Sequence, residues 1–219
     1  MKAIPRSPGY LKFYVITDRL LSRGCSHADV VRKAIDGGAT CIQLREKDAS
    51  SRELYLLASE LRAITREKDT VLIINDRLDI ALAVGADGVH LGQDDLPVDA
   101  ARGIMPPGMI LGVSVDNPRQ AREAQAMGAS YLGAGAVFAT ATKADAGEPV
   151  GLQAISKICR IVDIPVVGIG GINLHNAGQV IQAGAAGVAV ISAVVAADDI
   201  TLAAARIARE IKEAQSSLG

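Results

Sequence analysis

No apolar run in the 219-residue chain is long enough to span a bilayer, and no block of one charge stands out. Lys and Arg together number 23, Asp and Glu 24, giving a net charge of −1 and a pI near 6.3. This balance offers no broad basic face to nucleic acid or to an anionic membrane, so any recognition of phosphate must be local. Residues 1–12 mix basic, proline and polar residues without an apolar core, and no secretory leader is expected. Only three cysteines occur, Cys25, Cys41 and Cys159, too scattered for a zinc or redox pair. They read as reduced, buried thiols of a cytoplasmic protein. The Gly-x-Gly-x-x-Gly turn of a dinucleotide fold is also missing: Thr17-Asp18-Arg19 stands after the first apolar run instead.

What is present is a 49% hydrophobic, 21% charged composition, enough to bury the core of one domain over residues 1–219. Short apolar runs alternate with stretches of helical period, the pattern of βα units. Strands are predicted at Phe13–Thr17, Thr40–Leu44, Val71–Ile74, Gly88–Leu91, Ile110–Val113, Tyr131–Gly133, Pro165–Ile169 and Gly187–Ile191. Helices are predicted at Ala28–Asp36, Arg52–Lys68, Leu78–Val84, Val98–Ile104, Pro118–Met127, Leu152–Val162, Leu174–Ala183 and Leu202–Ala214. Ser26, Ser50 or Ser51, Asn117 and Asn173 are candidate N-caps. The dipeptides Gly38-Ala39, Gly85-Ala86, Gly128-Ala129 and Gly184-Ala185 recur between a helix and the next strand, where glycine permits a left-handed C-cap. Eight such units in so short a chain favour an α/β fold closed as a (β/α)8 TIM barrel over an open doubly wound sheet, because closure removes both edges.

In that fold the site lies just beyond the C-terminal ends of the strands. After strand two comes Gln43-Leu44-Arg45-Glu46-Lys47, whose odd-numbered residues share one side of an extended chain; the plainer reading is a solvated loop with locally paired charges. Asn75-Asp76-Arg77 follows strand three and Gln93-Asp94-Asp95 strand four, and each aspartate group could equally cap the next helix. Carboxylates beside cations suit a hard divalent ion that bridges to phosphate, and Mg2+ needs only one or two of them. Ser114 ends strand five. Thr140-Ala141-Thr142-Lys143 follows strand six, with hydroxyls and an ammonium for anionic oxygens and a loop to residue 150 long enough to close, or else a plain polar surface loop. Gly170-Gly171 and Ile191-Ser192 follow strands seven and eight, where backbone amides form the phosphate site common to such barrels, the alternative being glycines needed only for the turn. Of the histidines, His27 reads as surface, His175 as the start of a helix and His90 as an interior residue or indirect partner; none is assigned to catalysis.

Together these segments, in this order and spacing from Tyr14 to about Ser192, resemble the thiamine-phosphate synthase family. The resemblance implies a transferase that condenses an aminopyrimidine diphosphate with a thiazole phosphate, in its plain or 2-carboxy form, releasing diphosphate. It implies that Gln43, Arg45, Lys47, Asn75, Ser114 and Lys143 hold the diphosphate substrate, within a binding stretch that includes Leu44, Glu46 and Ala141. Asp76 and Asp95 would bind Mg2+, and Thr140, Thr142, Gly171, Ile191 and Ser192 the thiazole phosphate. The implied mechanism is dissociative, with Arg45, Lys47, Ser114 and Lys143 as the catalytic group, which suits a sequence without a Ser-His-Asp or Cys-His constellation. The partners are thus two phosphorylated small molecules; a homo-oligomer is compatible with the sequence but not specified by it. Two rivals are weighed. A thiazole tautomerase of the same fold is expected to carry a histidine just after the strand-five serine, where this chain has Val115, Asp116 and Asn117. A non-catalytic barrel binding a phosphorylated ligand would have no use for the carboxylate pair.

Overall fold

The parallel strands β1 (Phe13–Ile16), β2 (Cys41–Leu44), β3 (Val71–Asn75), β4 (Gly88–Leu91), β5 (Ile110–Val115), β6 (Tyr131–Ala134), β7 (Val166–Ile169) and β8 (Gly187–Val190) pair in sequence order, and β8 pairs back to β1, closing a barrel. The computed structural model describes residues 8–140, 142 and 148–218. Nearly every strand residue is buried, because alternate side chains fill the barrel interior or the layer under the helices.

The surrounding helices are α1 (His27–Asp36), α2 (Ser51–Glu67), α3 (Leu78–Val84), α4 (Val98–Ile104), α5 (Pro118–Ala126), α6 (Gly151–Cys159), α7 (Ala177–Gln182), α8 (Ser192–Val195) and α9 (Ile200–Ser216). Ser26 and Asn117 cap α1 and α5 as the sequence suggests, and Ser50 closes a reciprocal capping box with Glu53 on α2. At the other ends, Gly38, Gly85, Gly128 and Gly184 all have positive φ. The alanine after each donates its N–H to a carbonyl five residues back, a Schellman closure repeated four times. A fifth closes α2 with Asp69 in the left-handed conformation, and the Thr70 N–H reaches the Thr65 carbonyl.

Three expectations need correction. α7 starts at Ala177 rather than Leu174, because Asn173 accepts from the His175 N–H and Asn176 from the Asn173 N–H, folding residues 173–176 into a turn. His175 therefore lies exposed before the helix. α6 ends at Cys159 rather than Val162, since the Asp163 and Ile164 amides turn to the Gln125 side chain. The four-residue α8 was not anticipated, and neither was the 3-10 turn Pro8–Leu11 that packs on the start of β8, where a Cβ on Gly187 would lie 1.8 Å from the Leu11 carbonyl oxygen. Of the cysteines, Cys41 is buried while Cys25 and Cys159 are half-buried; all three are free thiols. Among the described residues, no helix is long and apolar enough to cross a membrane.

Two arginines fasten the end of the barrel where the strands begin. Arg62 on α2 grips Asp87 through two bonds of 2.6 and 3.0 Å, and Asp87 also accepts from the Leu72 N–H. Arg102 on α4 donates to the Gly128 and Met109 carbonyls and to Ser130 Oγ. Replacing Arg62 by Met removes the counter-charge of a largely buried carboxylate. A stability loss of about 2–3 kcal/mol is expected, read as a lower urea midpoint at unchanged slope. The Arg62→Met/Asp87→Asn pair should recover part of it; an unchanged midpoint in Arg62→Met would contradict the role given to the clamp.

Candidate active site

At the opposite end, the strand termini surround an open cavity of about 330 Å3. One wall carries Arg45 and Lys47 from β2, Asn75 and Asp76 from β3, Asp94 and Asp95 from β4, and Ser114 from β5. The facing wall carries Thr140, Thr142, Gly170, Gly171, Ile191 and Ser192. Ala141 and Lys143 lie outside the described residues.

Arg45 is placed by the loop after β1. Its backbone N–H donates to Thr17 Oγ1 at 3.1 Å, and its Nη1 lies 3.4 Å from Asp18 Oδ2. Asp18 is itself fixed, because its other oxygen accepts from the Leu20 and Leu21 amides. Arg45 Nε is buried without a hydrogen-bond partner among the described residues, which leaves a cationic donor for an anion in the cavity. Glu46 points elsewhere. Its Oε2 lies 3.3 Å from His27 Nε2 and 3.4 Å from Arg19 Nε, and the His27 side chain is only 9% exposed, which corrects its reading as a surface residue. Leu44 is buried in the core, and Gln43 sits inside the barrel, donating to the Tyr14 hydroxyl at 2.8 Å; neither lines the cavity.

The aspartates do not cap helices. Arg77 and Pro97 occupy the N-cap positions of α3 and α4, and neither helix has a side-chain cap. Asp76 instead adopts a left-handed backbone with φ 62°, its N–H bonded to the His90 carbonyl. Asp95 turns back to accept the Gly92 N–H through Oδ2 at 2.6 Å. Carboxylates excused from capping, held on adjacent strands and facing cations, fit a small oxygen-seeking ion that takes one or two protein ligands and draws the rest from substrate and water. Among the described residues no group of three or more His, Cys, Asp or Glu could form a fuller cage.

On the facing wall the paired glycines serve the turn and more. Gly170 and Gly171 have φ of 94° and 66°. A Cβ on Gly171 would lie 2.6 Å from the Ala139 carbonyl oxygen, so the β7 loop packs directly on the segment after β6.

Sequence reasoning did not single out Thr17 and Asp18, although they follow the first apolar run just as the other rim residues follow theirs. Nor did it foresee the contacts of His90, whose Nε2 lies 3.0 Å from Ser114 Oγ and whose Nδ1 lies 2.8 Å from the Tyr131 hydroxyl. Tyr131 in turn meets Tyr14 at 2.9 Å. Burial pushes the phenol pKa of both tyrosines well above the usual value, with their mutual proximity adding to the rise for Tyr14 and Cys41 adding to it for Tyr131.

Comparison with known proteins finds a family model described as thiamine monophosphate synthase matching residues 13–194. The chain is 54% identical to thiamine-phosphate synthase of Chloroflexus aurantiacus over 196 residues, 90% of each chain. It is 52% identical to that of Methanospirillum hungatei over 195 residues, 89% of this chain and 95% of the relative. Among solved structures, a thiamine phosphate pyrophosphorylase from Pyrococcus furiosus superposes with a TM-score of 0.88 at 46% identity, covering 94% of this chain and 98% of the other.

The raised folded-state pKa of Tyr14 and Tyr131 contributes stability that is complete below the unfolded value of about 10 and is lost as pH rises beyond it through the folded values. Tyrosinate absorbance of the native protein and of Tyr131→Phe should therefore coincide as pH rises, until alkaline unfolding. A smaller tyrosinate signal from Tyr131→Phe while both remain folded would contradict this.

Proposed function

The chain belongs to the thiamine monophosphate synthase family, and from that premise we propose how its own residues carry out the transfer. It is a transferase that joins 4-amino-2-methyl-5-(diphosphooxymethyl)pyrimidine to 4-methyl-5-(2-phosphooxyethyl)thiazole, yielding thiamine monophosphate and diphosphate. The observation that carries the assignment of residues is the buried Arg45 Nε, without a partner among the described residues, on the cavity that Asp76 and Asp95 also line: a donor left for an anion and oxygens suited to a cation at one site.

In this reading Arg45, Lys47, Asn75 and Ser114, with Lys143, receive the diphosphate, and Asp76 and Asp95 hold Mg2+. Bound there, the ion supplies Lewis-acid neutralisation of the diphosphate oxygens. The C–O bond breaks with its electron pair leaving on diphosphate, the ring amino group stabilises the pyrimidine-methyl cation, and the thiazole nitrogen forms the new C–N bond. No protein nucleophile takes part. The protein lowers the barrier by meeting charge on the departing group with fixed donors and by holding the second substrate in reach. Thr140, Thr142, Gly171, Ile191 and Ser192 on the facing wall receive the thiazole monophosphate. Gln43, below the cavity floor, is assigned to the aminopyrimidine, whose ring enters the barrel mouth. Leu44 and Glu46 act by holding the segment that carries Arg45 and Lys47, and Ala141 is assigned to the binding stretch between Thr140 and Thr142. Three free thiols support a reducing, cytoplasmic location.

The test is direct: the protein with both substrates and Mg2+ should yield thiamine monophosphate and pyrophosphate. Asp95→Asn should lower turnover on the order of 10²-fold, the scale of losing one preorganised charge-stabilising group. Undiminished Mg2+-dependent turnover in that variant would remove Asp95 from the metal site.

A further inference from the structure

A line of hydrogen bonds crosses the barrel interior and ends at the cavity. Gln43 Nε2 donates to the Tyr14 hydroxyl, which meets the Tyr131 hydroxyl; that hydroxyl meets His90 Nδ1, and His90 Nε2 meets Ser114 Oγ, all within 2.8–3.0 Å. Gln43, Tyr14 and Tyr131 are at most 3% exposed and His90 is 9% exposed. The space is built for the pair at its centre. A Cβ on Gly112 would lie 2.4 Å from the Tyr131 hydroxyl and 2.5 Å from His90 Nδ1, and one on Gly133 would lie 2.9 Å from His90 Cε1. The His90 and Tyr131 rings stand 5.5 Å apart.

The line has a direction. The Gln43 amide nitrogen can only give protons, so the Tyr14 oxygen accepts. The Tyr14 hydroxyl lies against both the Tyr131 oxygen at 2.9 Å and the Cys41 thiol; sulfur is the weaker acceptor, which favours Tyr131 as the taker of the Tyr14 proton. Burial keeps both phenols protonated, so Tyr131 in turn donates to His90 Nδ1. A neutral imidazole whose Nδ1 accepts must carry its proton on Nε2.

We propose that His90 is a positioning residue: fixed as the Nε2–H tautomer, it donates to Ser114 Oγ and so leaves the serine proton free to point into the cavity at a diphosphate oxygen. The proposal rests on Ser114 being a diphosphate ligand. A histidine 3.0 Å from a serine hydroxyl is the spacing of an activated nucleophile. Here the proton sits on the nitrogen that a general base would need bare. The serine is thereby held as a donor to anionic oxygen and kept from attacking phosphorus, which protects the diphosphate ester from phosphoryl transfer to the serine. The Ser114 carbonyl, accepting from Gln93 Nε2 at 2.6 Å, fixes the end of β5 from the other side.

The tautomer can be read without a variant. Nitrogen NMR of protein labelled with 15N-histidine should show His90 protonated at Nε2 and bare at Nδ1, its signals assigned by their loss in His90→Gln. Protonation at Nδ1 would overturn the proposal. The consequence is read by titrating inorganic pyrophosphate with Mg2+. His90→Asn should bind it about tenfold more weakly, whereas His90→Gln, which keeps an N–H near the place of Nε2, should stay within about threefold of the native protein. The His90→Asn/Ser114→Ala double variant should be no weaker than Ser114→Ala, because the histidine acts through the serine. Losses that multiply would overturn the relay, as would native affinity in His90→Asn while Ser114→Ala is weakened. Native affinity in Ser114→Ala would overturn the relay together with the assignment of Ser114 to diphosphate.

Discussion

The hydrogen bonds between β1 and β8 pair Phe13 with Val188, Tyr14 with Ala189 and Val15 with Val190. They convert eight strands of four to six residues into a ring without an edge. Everything at the cavity depends on that closure. It brings the loop after β1 against Arg45 on one side and carries Ile191 and Ser192 round to the same rim on the other. It also encloses an interior narrow enough for Tyr14 on β1 and Tyr131 on β6, which are 117 residues apart, to share a hydrogen bond. Arg62 and Arg102 secure the opposite end, so fastening and chemistry occupy different faces of one barrel.

Much of this was legible in the sequence where local physics decides the outcome. Apolar runs gave all eight strands to within two residues at either end, and the Gly-Ala pairs gave four helix ends, because each signal is the cause of its element. Legibility failed where side chains override period. Asn173 and Asn176 hold a turn that the apolar spacing would have made helical, and α8 is too short to show a period at all. At the rim, position just past a strand located Arg45, Lys47, Asn75, Asp76, Asp95 and Ser114 at the cavity. It could not tell that Leu44 and Glu46 would turn away, or that the aspartates would leave capping undone, since both depend on partners distant in sequence.

The polar line from Gln43 to Ser114 was invisible for a related reason. Tyr14, Gln43, His90 and Tyr131 each stand singly within apolar strands, and only the barrel interior joins them. Filling a barrel with two tyrosines, a histidine and a glutamine is tolerable because each of the four side chains finds a hydrogen-bond partner. Such a chain specifies one proton arrangement where an apolar core would specify none. That arrangement suits a site which must hold a reactive diphosphate beside a hydroxyl without transferring a phosphoryl group to it.

The central claim is that the rim has two sides, diphosphate with its ion on the wall of β2 to β5 and monophosphate on the wall of β6 to β8. It is tested most directly by a crystal structure of the protein with pyrophosphate, Mg2+ and the thiazole phosphate bound. Pyrophosphate is expected within hydrogen-bonding distance of Arg45 Nε and Ser114 Oγ, the ion on Asp76 and Asp95, and the monophosphate against the backbone at Gly171 and Ser192. Pyrophosphate lodged at the β7 and β8 loops, or an ion bound away from both aspartates, would contradict it.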